Sequence, residues 1–210
     1  MRAGKGGQGK KAQETRRRII DAAGALFVEQ GYGATKLQEI ADRAGVAVQT
    51  IYFVFRNKTT LLKELVDVAI AGDDEPVATM DRPWFTEVLA APTAESALTG
   101  LLDDTRRTLE RVAAINEMVH AAAATDPEIR ELWGDRTDPR YTVMSTVAES
   151  LTQKPGFRSS VPADEAADII YAVLSPELYL VLTRDRAWTP VKWERWAHRT
   201  LCSQLLDNGL

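Results

Sequence analysis

Residues 35–62 read TKLQEIADRAGVAVQTIYFVFRNKTTLL, and this stretch decides the fold. A capping-box spacing begins at Thr35 and predicts a short helix over the residues that follow it. Gly45 then interrupts the helical pattern, and a glycine supplies the positive φ that a tight turn between two helices requires. A second short helix is predicted from Ala47 to Phe55. Two short helices joined in this way are the core of a helix-turn-helix.

Helical periodicity continues on both sides of this core. Apolar residues recur at helical spacing from about Gln13 to Gln30, and Gly31 stands where a left-handed C-terminal cap is expected. On the other side, Asn57 is placed to cap a fourth helix, which ends near Gly72. The sequence therefore predicts a compact helical domain over residues 13–60.

The remainder of the chain, residues 61–210, also has a helical pattern. Pro139 and Pro176 fall inside two of the predicted helices and should break or kink them. No stretch alternates with period two, so the predicted fold class is all-α, with about nine helices in a helix-turn-helix domain and a larger C-terminal domain. The further helices are predicted near 84–90, 93–125, 127–154, 163–184 and 190–206.

The first twelve residues, MRAGKGGQGKKA, contain no large apolar side chain and predict a disordered basic arm. Gly4 to Lys10 fits the spacing of a phosphate-binding loop, but Lys11 follows where Ser or Thr must hold the metal, so this interpretation is rejected. Two alternatives stay open for the arm: an unstructured tail, or a segment that tracks a minor groove or phosphates.

Charge is distributed unevenly along the chain. The net charge is −4, yet residues 1–60 hold eleven Lys and Arg against five Asp and Glu, so the acidic excess lies in residues 61–210. A basic end on an acidic chain indicates a polyanionic partner for that end, although a solvated charged face gives the same pattern. Together with the helix-turn-helix, the charge favours double-stranded DNA as the partner. No uninterrupted apolar run reaches the roughly 18 residues of a membrane span. The single cysteine, Cys202, excludes an intrachain disulfide, and we expect a cytoplasmic protein without a membrane partner.

The third helix carries the residues that would read DNA. Ile51 and Phe55 are four apart and face inward, which leaves the other side of the helix outward, near its N-terminus, where base edges are met. Gln49 can pair in bidentate fashion with an adenine, and apolar side chains can contact thymine methyl groups. The outward residues are Val48, Gln49, Thr50 and Phe53, and Lys58 at the start of the next helix is placed to neutralise a phosphate.

These residues resemble the DNA-binding domain of the TetR family of bacterial transcription regulators. The resemblance is carried by Gly31-Tyr32 with Thr35, by Ile40 to Val46, by Thr50-Ile51-Tyr52 with Phe55, and by Lys58 to Leu62. A weaker resemblance to the C-terminal domain of one subgroup covers Leu174 to Tyr179 with Trp188, Trp193, Trp196 and Leu201. The resemblance to the family implies nine or ten helices, a dimer through the last two long helices, a palindromic operator and a central ligand pocket.

The resemblance also implies which residues touch DNA. By position, these are Thr35, Lys36, Gln38, Val48, Gln49, Thr50, Tyr52, Phe53 and Lys58, with Tyr52 expected on a phosphate. Two positions depart from the family pattern. Val54 replaces a residue that is commonly histidine, and Ala47 replaces a capping Ser or Thr, which costs roughly 1 kcal/mol.

The C-terminal domain is expected to bind a small molecule and to dimerise. Two wide apolar stripes predict a four-helix interface between two copies of the chain, formed by Ile169, Ile170, Val173, Val181, Trp193, Trp196, Leu201 and Leu205. Large aromatic and Met side chains suit a cavity for a largely apolar effector. The candidate lining residues are Trp84, Phe85, Met118, His120, Trp133, Tyr141, Met144 and Tyr171, each of which also suits plain core.

The residues show no catalytic constellation, and no cofactor or metal site is expected, since the two histidines lie on different predicted helices. The sequence therefore predicts a ligand-responsive regulator, a repressor, that binds a palindromic operator as a homodimer and is released by a small, largely apolar effector. The alternative is a helical ligand- or protein-binding module whose helix-turn-helix no longer binds DNA specifically, an interpretation that Val54 and Ala47 favour.

Overall fold

The computed structural model describes residues 5–73, 75, 77–133 and 138–207, and this part of the chain contains helices and no β-strand. An isolated bridge joins Phe157 to Leu206. The helices are α1 (Lys5–Gln30), α2 (Leu37–Ala44), α3 (Val48–Phe55), α4 (Lys58–Ala71), α5 (Pro83–Ala90), α6 (Ala94–Thr125), α7 (Pro127–Trp133), α8 (Pro139–Thr152), α9 (Ala163–Val173), α10 (Pro176–Leu180) and α11 (Pro190–Leu205). A 3₁₀ turn spans Thr79–Asp81, and a π-helical turn spans Val181–Asp185. The predicted all-α fold is confirmed.

The helix number exceeds the predicted nine because two prolines each start a new helix. Pro139 and Pro176 occupy first-turn positions of α8 and α10, where a missing N–H costs nothing. The Asp138 carboxylate accepts a hydrogen bond from the Arg140 backbone N–H at 2.9 Å, and the Ser175 hydroxyl oxygen accepts one from the Leu178 N–H at 3.2 Å. The predicted helices at 127–154 and 163–184 are therefore broken, as the prolines indicate.

Helix α1 begins earlier than predicted. It starts at Lys5, so the disordered arm predicted over residues 1–12 is wrong for residues 5–12, and residues 1–4 lie outside the described residues. Lys10, Lys11 and Ala12 have high intrinsic helix propensity, and no proline precedes the core-facing part of α1. Once that part is helical, each further residue adds one hydrogen bond at little nucleation cost.

The chain divides by its contacts into two compact units. The first holds Met1–Ile70 and Ala114–Asp135, and the second holds Ala71–Ala113 and Arg136–Leu210. Helix α4 and the end of α6 thus group with the helix-turn-helix, whereas the sequence pattern suggested a division after residue 60. In the second unit, α9 packs against α8 and α11.

The core of the first unit consists of side chains that the periodicity places inward. Ile19, Ala23 and Phe27 of α1 are fully buried, and they are joined by buried residues of the next three helices. These are Ile40 and Ala41 of α2, Ile51 and Phe55 of α3, and Leu61, Leu62 and Leu65 of α4. This shared core fixes α3 against its neighbours and leaves its other face to solvent.

One stretch of the described residues, Ala163–Asp185, is long and apolar enough to cross a membrane by length and composition alone. In the structure it is divided between α9, α10 and a π-helical turn, and 39% of the apolar window is buried inside the protein. Core helices share this composition, so the stretch is weak support for a membrane span.

Candidate nucleic-acid interface

The turn between α2 and α3 has the geometry that its glycine predicts. Gly45 adopts φ 66° and ψ 42°, in the left-handed region, and its N–H donates to the Asp42 carbonyl at 3.2 Å. The Val46 N–H donates to the Ala41 carbonyl at 3.0 Å, which closes the end of α2. Because Ala41 is fully buried, the two helices cross closely, and the predicted helix-turn-helix is present.

Helix α3 has one buried face and one exposed face. Ile51 and Phe55 are 0% exposed, whereas Tyr52 is 53% and Phe53 is 89% exposed. Gln49 is also exposed, and Val48 and Thr50 are half-buried. Of the outward residues predicted from helical spacing, Gln49 and Phe53 are confirmed as exposed, whereas Val48 and Thr50 are only partly so. With Tyr52, an amide, a phenol and a phenyl ring project from one short helix.

The ends of α3 lack ordinary caps. Ala47 at its start makes no side-chain cap, as predicted. At its end, Arg56 has φ 67° and ψ −53°, and the Asn57 N–H donates to the Phe55 carbonyl at 2.7 Å, which is the geometry of a γ-turn. The Asn57 side-chain oxygen accepts from the Thr60 N–H at 2.7 Å and caps α4, as predicted. A run rich in β-branched and aromatic residues is thus held helical by packing.

The start of α2 differs from the predicted capping box by one residue. Lys36 is the N-cap, and its N–H donates to the Glu39 carboxylate at 2.9 Å. Thr35 is 1% exposed, and its hydroxyl donates to the Gly31 carbonyl at 2.8 Å. The predicted DNA contact of the Thr35 side chain is therefore wrong, because that hydroxyl is buried and already bonded.

Lys36 and Gln38, also at the start of α2, are exposed. The Gln38 amide donates to the Asp42 carboxylate at 2.8 Å, and a surface bond of this kind exchanges readily for another partner. Both residues therefore stay candidates for contacts with DNA.

Lys58 faces into the first unit instead of outward. Its Nζ donates to the carbonyls of Tyr32 and Thr35 at 2.9 and 3.1 Å, and it lies 4.2 Å from the centre of the Tyr32 ring. Burial lowers the pKa of the Lys58 ammonium, although the Asp126 carboxylate acts in the opposite direction. The predicted phosphate contact is corrected accordingly: this ammonium holds the segment before α2 against the start of α4.

Known proteins similar to this chain also indicate a helix-turn-helix regulator. The family model described as bacterial regulatory proteins, tetR family, matches residues 19–65. The HTH-type transcriptional repressor KstR2 of Rhodococcus jostii (strain RHA1) is 25% identical over 201 residues, which cover 89% of this chain and 82% of that repressor. Residues 19–65, which contain the helix-turn-helix, thus match the TetR family.

Other regulators match more strongly over a shorter region. Several HTH-type transcriptional regulators, such as AcrR of Shigella flexneri and KstR of Mycobacterium tuberculosis, are 44–47% identical to this chain, but only over 52–59 residues and 25–28% of their own length. The similarity of sequence to these regulators therefore covers about a quarter of this chain, 25–28% of it.

Solved structures share the complete fold. A transcriptional regulator from Saccharomonospora viridis in complex with choline has a TM-score of 0.69 and 22% identity, over 93% of this chain and 100% of that one. The SmeT–triclosan complex also has a TM-score of 0.69, with 19% identity, over 93% of each chain. The fold of these two structures is thus shared over most of this chain.

Two further cations near the helix-turn-helix, Arg56 and Arg18, are not indicated by the sequence pattern. Arg56 is exposed at the end of α3, and Arg18 Nη1 lies 3.7 Å from the position that a Cβ on Gly45 would occupy. A positive φ at an arginine has no sequence signal. The position of Arg18 beside the turn depends on how α1 packs, which helical spacing alone does not give.

We expect Lys58→Ala to destabilise the protein without changing its salt-dependent binding to DNA. Loss of the ammonium leaves two carbonyls without their donor, at a cost of roughly 1–3 kcal/mol in the free energy of unfolding. Urea denaturation measures this change, and Lys63→Ala, at an exposed position of the same helix, is the control. If the variant is as stable as the parent and its DNA affinity depends less on salt, Lys58 contacts a phosphate after all.

Replacement of Arg56 by glycine is expected to raise the stability of the protein and to lower its affinity for DNA. Glycine adopts a positive φ without the cost of about 1–2 kcal/mol that other residues bear, so the free energy of unfolding should rise by about 1 kcal/mol or less. Loss of an exposed cation at the end of α3 should reduce DNA affinity, and Arg56→Ala should lower affinity equally without the gain in stability. Equal denaturation curves for the glycine and alanine variants would contradict the claim that the positive φ of Arg56 is strained.

The predicted pocket residues are divided between the two units. Met118, His120 and Trp133 belong to the first unit, and Trp84, Phe85, Tyr141, Met144 and Tyr171 belong to the second. In the second unit the Trp84 and Phe85 rings contact edge to face at 5.5 Å, as do those of Tyr141 and Tyr171 at 5.4 Å. Both phenols of the latter pair donate to carboxylates, of Asp168 and Asp138 respectively. The assignment of these eight residues to a pocket stays a prediction.

Half of the predicted dimer residues are core residues of a single chain. Ile170, Trp193, Leu201 and Leu205 are 0% exposed, so they present no surface to a partner, and their assignment to the interface is wrong. Both stripes are wide enough for a core and an interface, and spacing alone did not separate the two faces. Val181 is exposed, and Ile169, Val173 and Trp196 are half-buried, so these four remain candidates.

Proposed function

We propose that this TetR-family regulator binds a palindromic DNA operator as a homodimer and acts as a repressor. The observation that carries the proposal is helix α3, which buries Ile51 and Phe55 and presents Gln49, Tyr52 and Phe53 outward beside a helix-turn-helix turn. Side chains in this arrangement suit base edges in a major groove. Lys36 and Gln38 supply further polar groups at the start of α2.

A two-fold dimer is needed because one α3 of eight residues reads only a few base pairs. Two copies of α3 reach successive major grooves when they are about 34 Å apart, or a multiple of that distance. We assign the interface to the outward side of α9, the π-helical turn and α11, which keeps Ile169, Val173, Val181 and Trp196 available to a partner.

The second part of the proposal is control by a small, largely apolar effector. The related folds solved with triclosan and with choline support a small-molecule ligand, and the aromatic and Met side chains of the helical domain favour an apolar one. The effector can release DNA only by binding more tightly to the state that does not fit the operator. Repression is supported by the similarity to the repressor KstR2. We expect such a regulator to act in the cytoplasm.

A selection experiment tests this function. The purified full chain is incubated with a library of random duplexes, and bound sequences are enriched and aligned. We expect one palindromic sequence, bound by two chains as judged by light scattering of the complex. Enrichment of no sequence, or binding by a single chain, would contradict the proposal.

The second candidate is a helical ligand- or protein-binding module without specific DNA affinity. It is favoured by Ala47, which leaves α3 without a side-chain cap, and by Val54 in place of the usual histidine. The same selection distinguishes the two candidates, because the module would enrich no duplex.

A further inference from the structure

The first half of α1 is a helix without a buried face. From Gly9 to Arg18 every side chain is exposed or half-buried, and the first core residue of the helix is Ile19. An isolated helix of this length is marginal in water, and glycine lowers its stability further. Core packing therefore does not explain this segment, and any role that it has depends on its exposed side chains.

Cations of this segment lie on one side of the helix. Lys10 and Arg17 are seven positions apart, as are Lys11 and Arg18, which places each pair about 20° apart around the axis and about 10.5 Å apart along it. Lys11, Arg17 and Arg18 lie around one open patch of the helix surface, together with Glu14 and Thr15. This patch holds three cations and one carboxylate, that of Glu14, so its net charge is positive. We call Lys10, Lys11, Arg17 and Arg18 the α1 basic face.

The partners of these cations leave room for a polyanion. Within the described part of the chain, the side chains of Lys10 and Lys11 make no ion pair or hydrogen bond. Arg17 pairs with Asp21 at 3.1 Å and Arg18 donates to the Thr15 hydroxyl at 3.4 Å, both within one exposed turn. Exposed ion pairs of this kind contribute little to stability, so a phosphate can replace them at low cost.

The position of α1 relative to the helix-turn-helix is fixed within the first unit. Arg16 pairs with Glu64 of α4, and its guanidinium lies 5.9 Å from the centre of the Phe55 ring of α3. Two residues further along, the Arg18 guanidinium lies beside Gly45, in the turn that leads into α3. The α1 basic face therefore begins at the turn from which the recognition helix enters a groove.

We propose that the α1 basic face is a second phosphate-binding surface, which contacts the DNA backbone outside the base pairs that α3 reads. The inference rests on the proposed function, because α3 must first place the domain on a duplex. Contacts to phosphates carry no sequence information, so this surface raises affinity and its salt dependence and leaves the choice of operator to α3.

The test uses the full chain and salt-dependent binding to duplexes. The double variant Lys10→Gln and Lys11→Gln removes two charges from exposed positions, and Lys10→Arg with Lys11→Arg is the control that retains them. Removal of one lysine–phosphate interaction should reduce the slope of log K against log salt by about 0.9. Glu14→Gln should steepen the slope and tighten binding, which is the opposite sign. Thermal denaturation should be the same for all four proteins.

The length of the duplex locates the contact. On the selected operator with flanking DNA, the glutamine double variant should bind more weakly than the parent but prefer the same bases. On a duplex trimmed to the bases that α3 reads, parent and variant should bind alike. Equal salt slopes on the long duplex, or an equal difference on both duplexes, would overturn the inference.

Failure of the proposed function would be visible in the parent alone, as binding without preference for any sequence. The comparison of salt slopes would still be made on a duplex of arbitrary sequence, since phosphate contacts do not depend on the operator. The two failures are therefore distinguishable.

Discussion

Replacement of Phe55 by alanine is expected to lower the free energy of unfolding by about 3–5 kcal/mol, the usual cost of removing a fully buried phenylalanine. Phe55 is 0% exposed and is one of two side chains by which α3 joins the core. The helix has no side-chain cap and is rich in β-branched residues, so packing is its main source of stability. Loss of the Phe55 side chain should therefore lower the free energy of unfolding by the full amount expected for a core phenylalanine.

Phe53→Ala is the matched control for this prediction. It removes the same side chain from the same helix two residues earlier, at a position that is 89% exposed. Urea denaturation should show a change within about 0.5 kcal/mol, as for an ordinary surface substitution. Similar destabilisation by the two variants would mean that α3 does not lie with Ile51 and Phe55 inward.

The double variant Gln49→Ala and Phe53→Ala is expected to lose sequence preference while remaining folded. A good base contact contributes about 1–3 kcal/mol of discrimination, so removing two of them from each subunit of the proposed dimer should bring operator affinity close to that for arbitrary DNA. Competition binding with labelled operator and an unrelated duplex measures this ratio. Binding to the unrelated duplex should change little, because the cations of the domain are retained.

A control variant carries the same chemical changes away from α3. Gln153→Ala removes an exposed amide just after the end of α8, and Leu132→Ala removes a large apolar side chain of α7 that is 42% exposed. This control should keep the parent's preference for the operator. A parent-like ratio for the Gln49 and Phe53 variant would show that other residues read the bases.

The helix-turn-helix could be predicted from sequence because its decisive signals are local. Gly45 needs only its own φ, Asn57 caps the next turn, and Ile51 and Phe55 are related by helical spacing. The same local argument predicted breaks at Pro139 and Pro176. Each of these features is set by one residue and its immediate neighbours.

The errors concern side chains whose roles depend on distant partners. Lys58 binds carbonyls 23 and 26 positions earlier in the chain, and no spacing rule shows that its ammonium turns inward. The Thr35 hydroxyl donates to the Gly31 carbonyl only four positions earlier, but the burial of this side chain depends on how the surrounding helices pack. An apolar stripe on α9 or α11 likewise does not tell which residues, such as Trp193, face the core and which face a partner.

The most direct test of the account is a substitution profile of the selected operator, measured with the parent and with Gln49→Ala. Every base pair is replaced in turn, and the affinity of each duplex is determined at one salt concentration. If two symmetric copies of α3 read the DNA, Gln49→Ala should lose discrimination at two positions related by the dyad of the operator and keep it elsewhere. An unchanged profile, or a loss at one position without its symmetric counterpart, would contradict the account.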